Sequence, residues 1–137
     1  MIKEISAGTL LVLVAAVSAI MAKNTLTTRR MLPFHEDALL KKWDDLESNL
    51  KLIIMALTRF LGIGFLISTL CLLGSATLII MKASYWQLLL ITVPIIFNSA
   101  LALINYALFK KTKAKTPWKE SIIALFVIII ALLLAIF

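Results

Sequence analysis

The acidic side chains of this sequence are concentrated beside its single histidine. Five of the seven carboxylates follow His35 within twelve positions, namely Glu36, Asp37, Asp44, Asp45 and Glu47. Histidine and carboxylates can form a metal site or an acid–base pair, but metal sites use several ligands and one histidine cannot supply a bis-histidine haem. We therefore expect no metal and no other cofactor, and we interpret His35 as a solvated loop residue.

Other catalytic patterns are missing from the sequence. Cys71 is the only cysteine, so it has no partner for a thiol–disulfide relay within the chain. The sequence has no Gly-rich phosphate loop and no nucleophile elbow. No carboxylate lies deep in an apolar run, where many proton-coupled transporters carry one. These observations predict a protein that is not an enzyme.

Two groups of polar residues lie within or beside apolar segments. Gln87, Pro94, Asn98 and Asn105 share one helical face by their spacing. We expect the amides to bond to a neighbouring helix, with a polar path between subunits as the alternative. Arg59 interrupts an apolar run near one end, and we expect its long side chain to reach the head groups.

The segment from Lys110 to Lys119, called here the lysine loop, is strongly basic. Four of its lysines are candidate contacts for anionic lipid: Lys110, Lys111, Lys113 and Lys115. Basic residues near the ends of membrane spans are also the ordinary determinant of topology. That second reading is sufficient to explain them.

Composition identifies the class of protein that must position these residues. Hydrophobic residues make up 62% of the 137 positions, charged residues only 15%, and the mean hydropathy is +1.04. Soluble domains are about half apolar and a quarter charged, so the sequence predicts an integral membrane protein. Its net charge of +7 is read as topological, and we expect no nucleic-acid partner.

Four apolar runs predict membrane spans at about 5–22, 60–81, 85–109 and 120–137. Val17-Ser18-Ala19 could instead be a processing site after a signal peptide. The acidic Glu4 beside Lys3 argues against that alternative, because signal peptides begin with net positive charge. Gly62 and Gly64 are where we expect the second span to bend most easily.

An amphipathic helix over about 36–58 is predicted to precede the second span. Its apolar stripe, spaced three and four residues apart, consists of Leu39, Trp43, Leu46, Leu50, Ile53 and Leu57. Charges of both signs on its polar face favour a protein contact over lipid adhesion, since lipid-binding helices are usually rich in basic residues alone. The candidate partner-binding residues are Trp43, Asp44, Asp45 and Glu47.

Basic residues set the expected orientation. The first and third connections contain 12 of the 14 lysines and arginines. By the positive-inside rule, loops 23–59 and 110–119 are cytoplasmic and both termini are outside. The predicted fold is a single all-α membrane domain over 1–137, an up-and-down bundle of four transmembrane helices with the amphipathic helix between spans 1 and 2, in the cell (inner) membrane.

Two functions remain open at this point. The first is a non-catalytic accessory or structural subunit, in contact with the lipid bilayer and with another membrane protein or further copies of itself. The second is a small oligomeric transporter or channel whose path is lined by Gln87, Asn98 and Asn105. Small multidrug exporters carry a carboxylate in their first span, and this carboxylate is absent here. The strong asymmetry of basic residues between the two sides also disfavours dual-topology insertion, in which a chain enters the membrane in both orientations.

Overall fold

The structure, a computed structural model, is all-helical in the part it describes, residues 2–82 and 86–136, with 86 and 87 described by backbone only. Its five α-helices are α1 (Ile2–Thr27), α2 (Pro33–Leu39), α3 (Ser48–Ile80), α4 (Trp86–Thr112) and α5 (Trp118–Ile136), with one 3-10 turn at Trp43–Asp45. All except α2 are long and apolar enough to span a membrane, as expected of a multi-pass membrane protein.

The long helices extend beyond the apolar runs that predict them. Helix α1 continues past residue 22 to Thr27, and α3 begins at Ser48 rather than near residue 60. Polar residues at a helix end can remain helical where they leave the hydrocarbon region, so hydropathy marks the membrane-buried part only. Two residues of the predicted spans, Tyr85 and Phe137, lie outside the described part of the chain.

The prediction of one continuous amphipathic helix over about 36–58 is wrong. Helix α2 ends at Leu39, the next residue Leu40 is left-handed with a φ of 53°, and Leu46 and Glu47 are extended before α3 begins at Ser48. Asp, Ser and Asn compete with the backbone for hydrogen bonds and favour turns and helix starts. The Glu36 carboxylate accepts a hydrogen bond from the Trp43 backbone amide at 3.2 Å and so stabilises the turn.

Helices α1 and α3 pack along a seam of small residues. The buried residues of α1 recur every three or four positions, and those of α3 recur at intervals of three, four or seven: Gly8, Leu11, Ala15, Ser18, Ala22 and Thr25 on α1, and Thr58, Gly62, Thr69, Leu72, Ala76 and Ile79 on α3. This spacing is typical of helices that cross at a small angle, and small residues allow the close approach that membrane helices need in place of a hydrophobic driving force.

The contacts within the seam establish that α1 and α3 are antiparallel. A Cβ atom added to Gly8 would lie 2.8 Å from the Ile80 Cδ1 atom, whereas one added to Gly62 would lie 2.7 Å from the Thr25 hydroxyl. Beyond Gly8, the Lys82 ammonium pairs with the Glu4 carboxylate at 3.3 Å. Helix α3 is continuous through Gly62, so this glycine permits close packing there.

The remaining long helices complete a ring of contacts. Helix α1 packs against α3 and α5, and α4 packs against the same two helices. Each of the four contributes one large, fully buried side chain to a common core: Leu11, Leu72, Ile91 and Ile128. Gly64 allows the Phe97 ring of α4 to pack against the α3 backbone.

Candidate functional site

Helix α3 extends past the end of α1 on the side where the two polar connections meet. Thr25 and Leu26, near the end of α1, contact Gly62. Because the two helices are antiparallel, the first ten residues of α3 lie beyond Thr27. At about 1.5 Å per residue, Arg59 and Ile80 are about 32 Å apart along the helix, close to the ~30 Å hydrocarbon thickness of a bilayer. Helix α3 therefore exceeds this length by the eleven residues 48–58.

The predicted partner-binding residues lie immediately before this extension. Trp43 is half-buried at the start of the 3-10 turn, whereas Asp44, Asp45 and Glu47 are exposed. The Lys51 ammonium donates to the Asp44 backbone carbonyl at 3.1 Å and lies 5.9 Å from the centre of the Trp43 ring. Within residues 2–82 and 86–136, none of these three carboxylates forms an ion pair. The acidic loop, residues 36–47, thus carries five carboxylates against two lysines, Lys41 and Lys42, which gives it a net charge of −3.

Part of the predicted apolar stripe lies on α3, and its side chains there are exposed. Leu50, Ile53 and Leu57 belong to the predicted stripe, and Phe60 continues it; from here on these four residues are called the apolar stripe. They are spaced three, four and three residues apart, and their exposed fractions are 39, 56, 65 and 76%. Trp43 and Leu46 do not continue it, because they precede the helix, and Leu46 is buried. The stripe thus begins near the start of α3 and ends at Phe60, the residue after Arg59.

Arg59 is exposed on α3, one residue before the end of the stripe. Its neighbour Thr58 is buried, and the Thr58 hydroxyl donates to the Ile54 carbonyl at 2.8 Å. The guanidinium therefore extends from the outer side of α3. The part of α3 from Arg59 to Ile80 is about as long as one membrane is thick. This placement is compatible with the head-group contact expected from the sequence.

The polar face of α4 lies largely inside the packed helices. Pro94 and Asn98 are buried, and Asn105 is half-buried. The Asn98 amide donates to the Pro94 carbonyl at 2.8 Å, so this hydrogen bond stays within α4 and does not reach a neighbouring helix. Gln87, the fourth member of the predicted face, has a side chain outside the described part of the structure.

The lysine loop is folded back against the end of α4. Lys110, Lys111, Lys113 and Lys115 are exposed, while Ala114, between the last two lysines, and Thr116, directly after them, are buried. The Thr116 hydroxyl donates to the Asn105 carbonyl at 2.7 Å, and the Lys113 amide donates to the Phe109 carbonyl at 2.8 Å. These bonds fix the backbone from which the lysines project.

The rings of Tyr106, Phe109 and Trp118 lie together at the lysine loop and are called here the aromatic cluster. The sequence analysis did not predict this cluster. The Trp118 ring is 5.5 Å from that of Tyr106 and 6.1 Å from that of Phe109, measured between centroids. The Lys119 ammonium lies 5.6 Å from the Trp118 ring, and that of Lys113 lies 5.9 Å from the Phe109 ring. Two aromatic residues three positions apart before the loop, Tyr106 and Phe109, and a tryptophan near its end, Trp118, were the signal that could have revealed this cluster.

His35 is not the freely solvated residue that the sequence suggests. Its ring packs against Phe34 with centroids 4.1 Å apart, and its Nδ1 atom is buried without a hydrogen-bond partner among the described residues. Burial lowers the pKa of His35 below its ordinary value. In the described part of the chain, no three His, Cys, Asp or Glu side chains are grouped closely enough to hold a metal ion.

Comparison with models of protein families, with curated proteins and with solved structures finds no match for this chain.

Proposed function

We propose that this chain is a non-catalytic accessory subunit of a larger complex in the cell membrane. The four long helices cross the bilayer as an up-and-down bundle, with the acidic loop and the lysine loop in the cytoplasm and both termini outside. The acidic loop and the apolar stripe together dock a second membrane protein. The observation that carries this proposal is the exposed stripe on an α3 extension longer than the membrane requires.

The lengths of the helices support the membrane arrangement. Helix α5 has 19 residues and so spans about 28 Å, close to the ~30 Å hydrocarbon thickness. The 33 residues of α3 span about 50 Å. An extension of this kind, with large apolar side chains exposed to water, is costly unless another surface covers it.

The chemistry of the two adjoining surfaces indicates what that partner looks like. Asp44, Asp45 and Glu47 are exposed carboxylates that form no ion pair with another described residue, so they complement a basic surface. Leu50, Ile53 and Leu57 complement an apolar helix. A membrane protein whose helix carries basic residues just beyond its cytoplasmic end satisfies both requirements.

The transporter alternative has less support. A path between subunits would need the polar face of α4 on the outside of the chain, yet Pro94 and Asn98 are buried within it. The Asn98 amide is also engaged by the Pro94 carbonyl. No specific observation favours this second function.

The test is purification of a tagged chain from its native membrane in mild detergent, followed by quantitative identification of the proteins that accompany it. The double variant Asp44→Lys/Asp45→Lys should remove a specific partner, and Leu57→Gln should weaken its recovery. The matched controls are Glu120→Lys, an exposed carboxylate in the first turn of α5, and Leu52→Gln, an exposed leucine outside the stripe.

Equal recovery of all proteins in the variants and the controls would contradict the docking surface. A chain that purifies alone as a monomer would contradict the subunit function. Co-expression of two differently tagged copies identifies the case in which the partner is a second copy of this chain.

A further inference from the structure

We propose that the lysine loop and the aromatic cluster form a binding site for the phosphate head group of an anionic phospholipid. This inference rests on the proposed membrane crossing of α4 and α5, but it does not depend on the protein partner. It concerns a different surface from the acidic loop and the apolar stripe.

The first argument is depth in the membrane. Helix α5 begins at Trp118 and is about as long as the hydrocarbon region is thick. Trp118 therefore lies at the membrane boundary, and tryptophan and tyrosine rings are enriched at the level of lipid head groups. Tyr106 contacts Trp118, so the aromatic cluster lies at the same level. The lysines of the loop are then within reach of lipid phosphates.

The second argument is charge. Four exposed lysines project from six consecutive residues, 110–115, and Lys119 is exposed beyond them. In the region the structure describes, none of these lysines pairs with a carboxylate, and Glu120 is the one acidic residue of the neighbouring chain segment. Each lysine near an anionic surface contributes about 1 kcal/mol of attraction, or about fivefold in affinity.

The third argument is order, which separates a binding site from a basic segment that only determines topology. The hydrogen bond from Thr116 to Asn105 and the burial of Ala114 and Thr116 fix the loop backbone against α4. The ammonium groups of Lys113 and Lys119 lie over aromatic rings, which limits their motion. Because these side chains are already confined, binding of a head group loses less conformational entropy.

The expected ligand is a lipid rather than a free phosphate, because the aromatic cluster supplies an apolar surface beside the lysines. Glycerol and the first acyl carbons can pack against Tyr106 and Trp118, whereas inorganic phosphate gains nothing from these rings.

Trp118 itself is the reporter for the test. The variant Trp43→Phe/Trp86→Phe retains only this tryptophan and is reconstituted into bilayers containing lipids with brominated acyl chains, which quench nearby indole fluorescence. Brominated phosphatidylglycerol should compete for the site several-fold better than brominated phosphatidylcholine with the same chains. In the variant Lys110→Gln/Lys111→Gln/Lys113→Gln/Lys115→Gln this preference should fall to about one. The control Lys41→Gln/Lys42→Gln, which alters exposed lysines outside the loop, should retain it.

Equal quenching by the two lipids in the chain with all its lysines would overturn the proposal. So would retention of the preference in the quadruple variant, or its loss in the control. Selective displacement of the anionic lipid by inorganic phosphate would identify a free-anion site instead. If the quadruple variant does not fold, raised salt must abolish the preference in the original chain, because salt screens exposed charges. Absence of quenching by either lipid would contradict the membrane arrangement itself.

Discussion

The Ser18 hydroxyl of α1 donates a hydrogen bond of 2.9 Å to the Phe65 backbone carbonyl of α3. The same carbonyl accepts a second hydroxyl, that of Thr69 in its own helix, also at 2.9 Å. Ser68, which is equally well buried on α3, has no hydrogen-bond partner for its hydroxyl among the described residues. Two buried serines in the same group of packed helices thus have opposite hydrogen-bonding states.

Substitution of these serines should give different results. Ser18→Ala removes an interhelical hydrogen bond and should lower the free energy of unfolding by about 0.6 kcal/mol, the average for such bonds in membrane proteins. Ser68→Ala removes an unpaired buried hydroxyl and should be neutral or stabilising. Equilibrium unfolding in detergent micelles compares the two variants. A larger loss for Ser68→Ala would mean that its hydroxyl has a partner, such as an ordered water.

Gly62→Ala should destabilise the chain by about 1–3 kcal/mol, as is typical of overpacking. The added methyl group would lie 2.7 Å from the Thr25 hydroxyl, which is held by the carbonyls of Met21 and Ala22 and cannot move freely. Gly74→Ala is the matched control on α3, because its methyl group meets only the flexible tip of Leu90, at 3.1 Å.

The Gly74 control should be neutral or slightly stabilising, since alanine favours a helix over glycine by about 1 kcal/mol. The thermal midpoints of the two variants in the same detergent decide the matter. If the midpoint falls equally in both, the close approach of α1 and α3 at Gly62 is not what limits stability.

The 33–47 region should lose stability on acidification because of His35. Its pKa is lowered by burial, so the folded state binds fewer protons than the unfolded state as the pH falls below the ordinary histidine value of about 6.5. Stability is therefore fully present above that value and is lost as the pH falls through it. Trp43 fluorescence, followed during unfolding at about pH 8 and pH 5.5, reports this region.

His35→Gln is the control for the pH experiment, because glutamine keeps polar atoms but does not titrate in this range. The variant should show much less change in stability between the two pH values. An equal change in both chains would assign the effect to other groups, of which Glu36 and Asp37 are the adjacent ones.

Loss of the Thr116 hydroxyl should loosen the lysine loop. In Thr116→Val the Asn105 carbonyl loses the donor that now lies at 2.7 Å, so the buried residues Ala114 and Thr116 should open more often. Limited trypsin digestion should then cleave faster after Lys113 and Lys115, as measured by mass spectrometry of the fragments. Thr77→Val, which removes an exposed hydroxyl bonded within α3, should leave these rates unchanged.

Cysteine labelling tests the proposed orientation. In a Cys71→Ser background, Lys82→Cys and Lys113→Cys each introduce one exposed thiol at opposite ends of the long helices. A membrane-impermeant maleimide added to intact cells should label the first and not the second, and both should react after lysis. The opposite pattern would reverse the assignment of the two sides.

Hydropathy was sufficient to predict the four long helices, because burial in lipid requires long apolar runs. It could not predict the break between Leu40 and Glu47. The apolar residues keep a spacing of three and four across that segment, and no Gly or Pro marks a turn there, so the sequence resembles that of a continuous helix. Periodicity describes side-chain order along the chain, and it does not reveal a left-handed residue such as Leu40.

The candidate surfaces were predictable to different extents. Exposure of the acidic and basic residues could be predicted from their charge. Exposure of Arg59 could be predicted from its place near one end of an apolar run. The aromatic cluster depends on a contact across the lysine loop, between Tyr106 and Trp118, which sequence spacing does not contain. For Gly62 and Gly64 the sequence suggested a bend, whereas each accommodates a neighbouring side chain that only the folded structure brings near.

The small-residue seam between α1 and α3 has a consequence for biogenesis. The helix that α1 pairs with is the next long one to be synthesised, so this antiparallel hairpin can close as soon as the chain up to Lys82 has left the ribosome. Helices α4 and α5 then meet a preassembled hairpin. Substitutions within the seam should therefore impair assembly during translation, before α4 and α5 have left the ribosome.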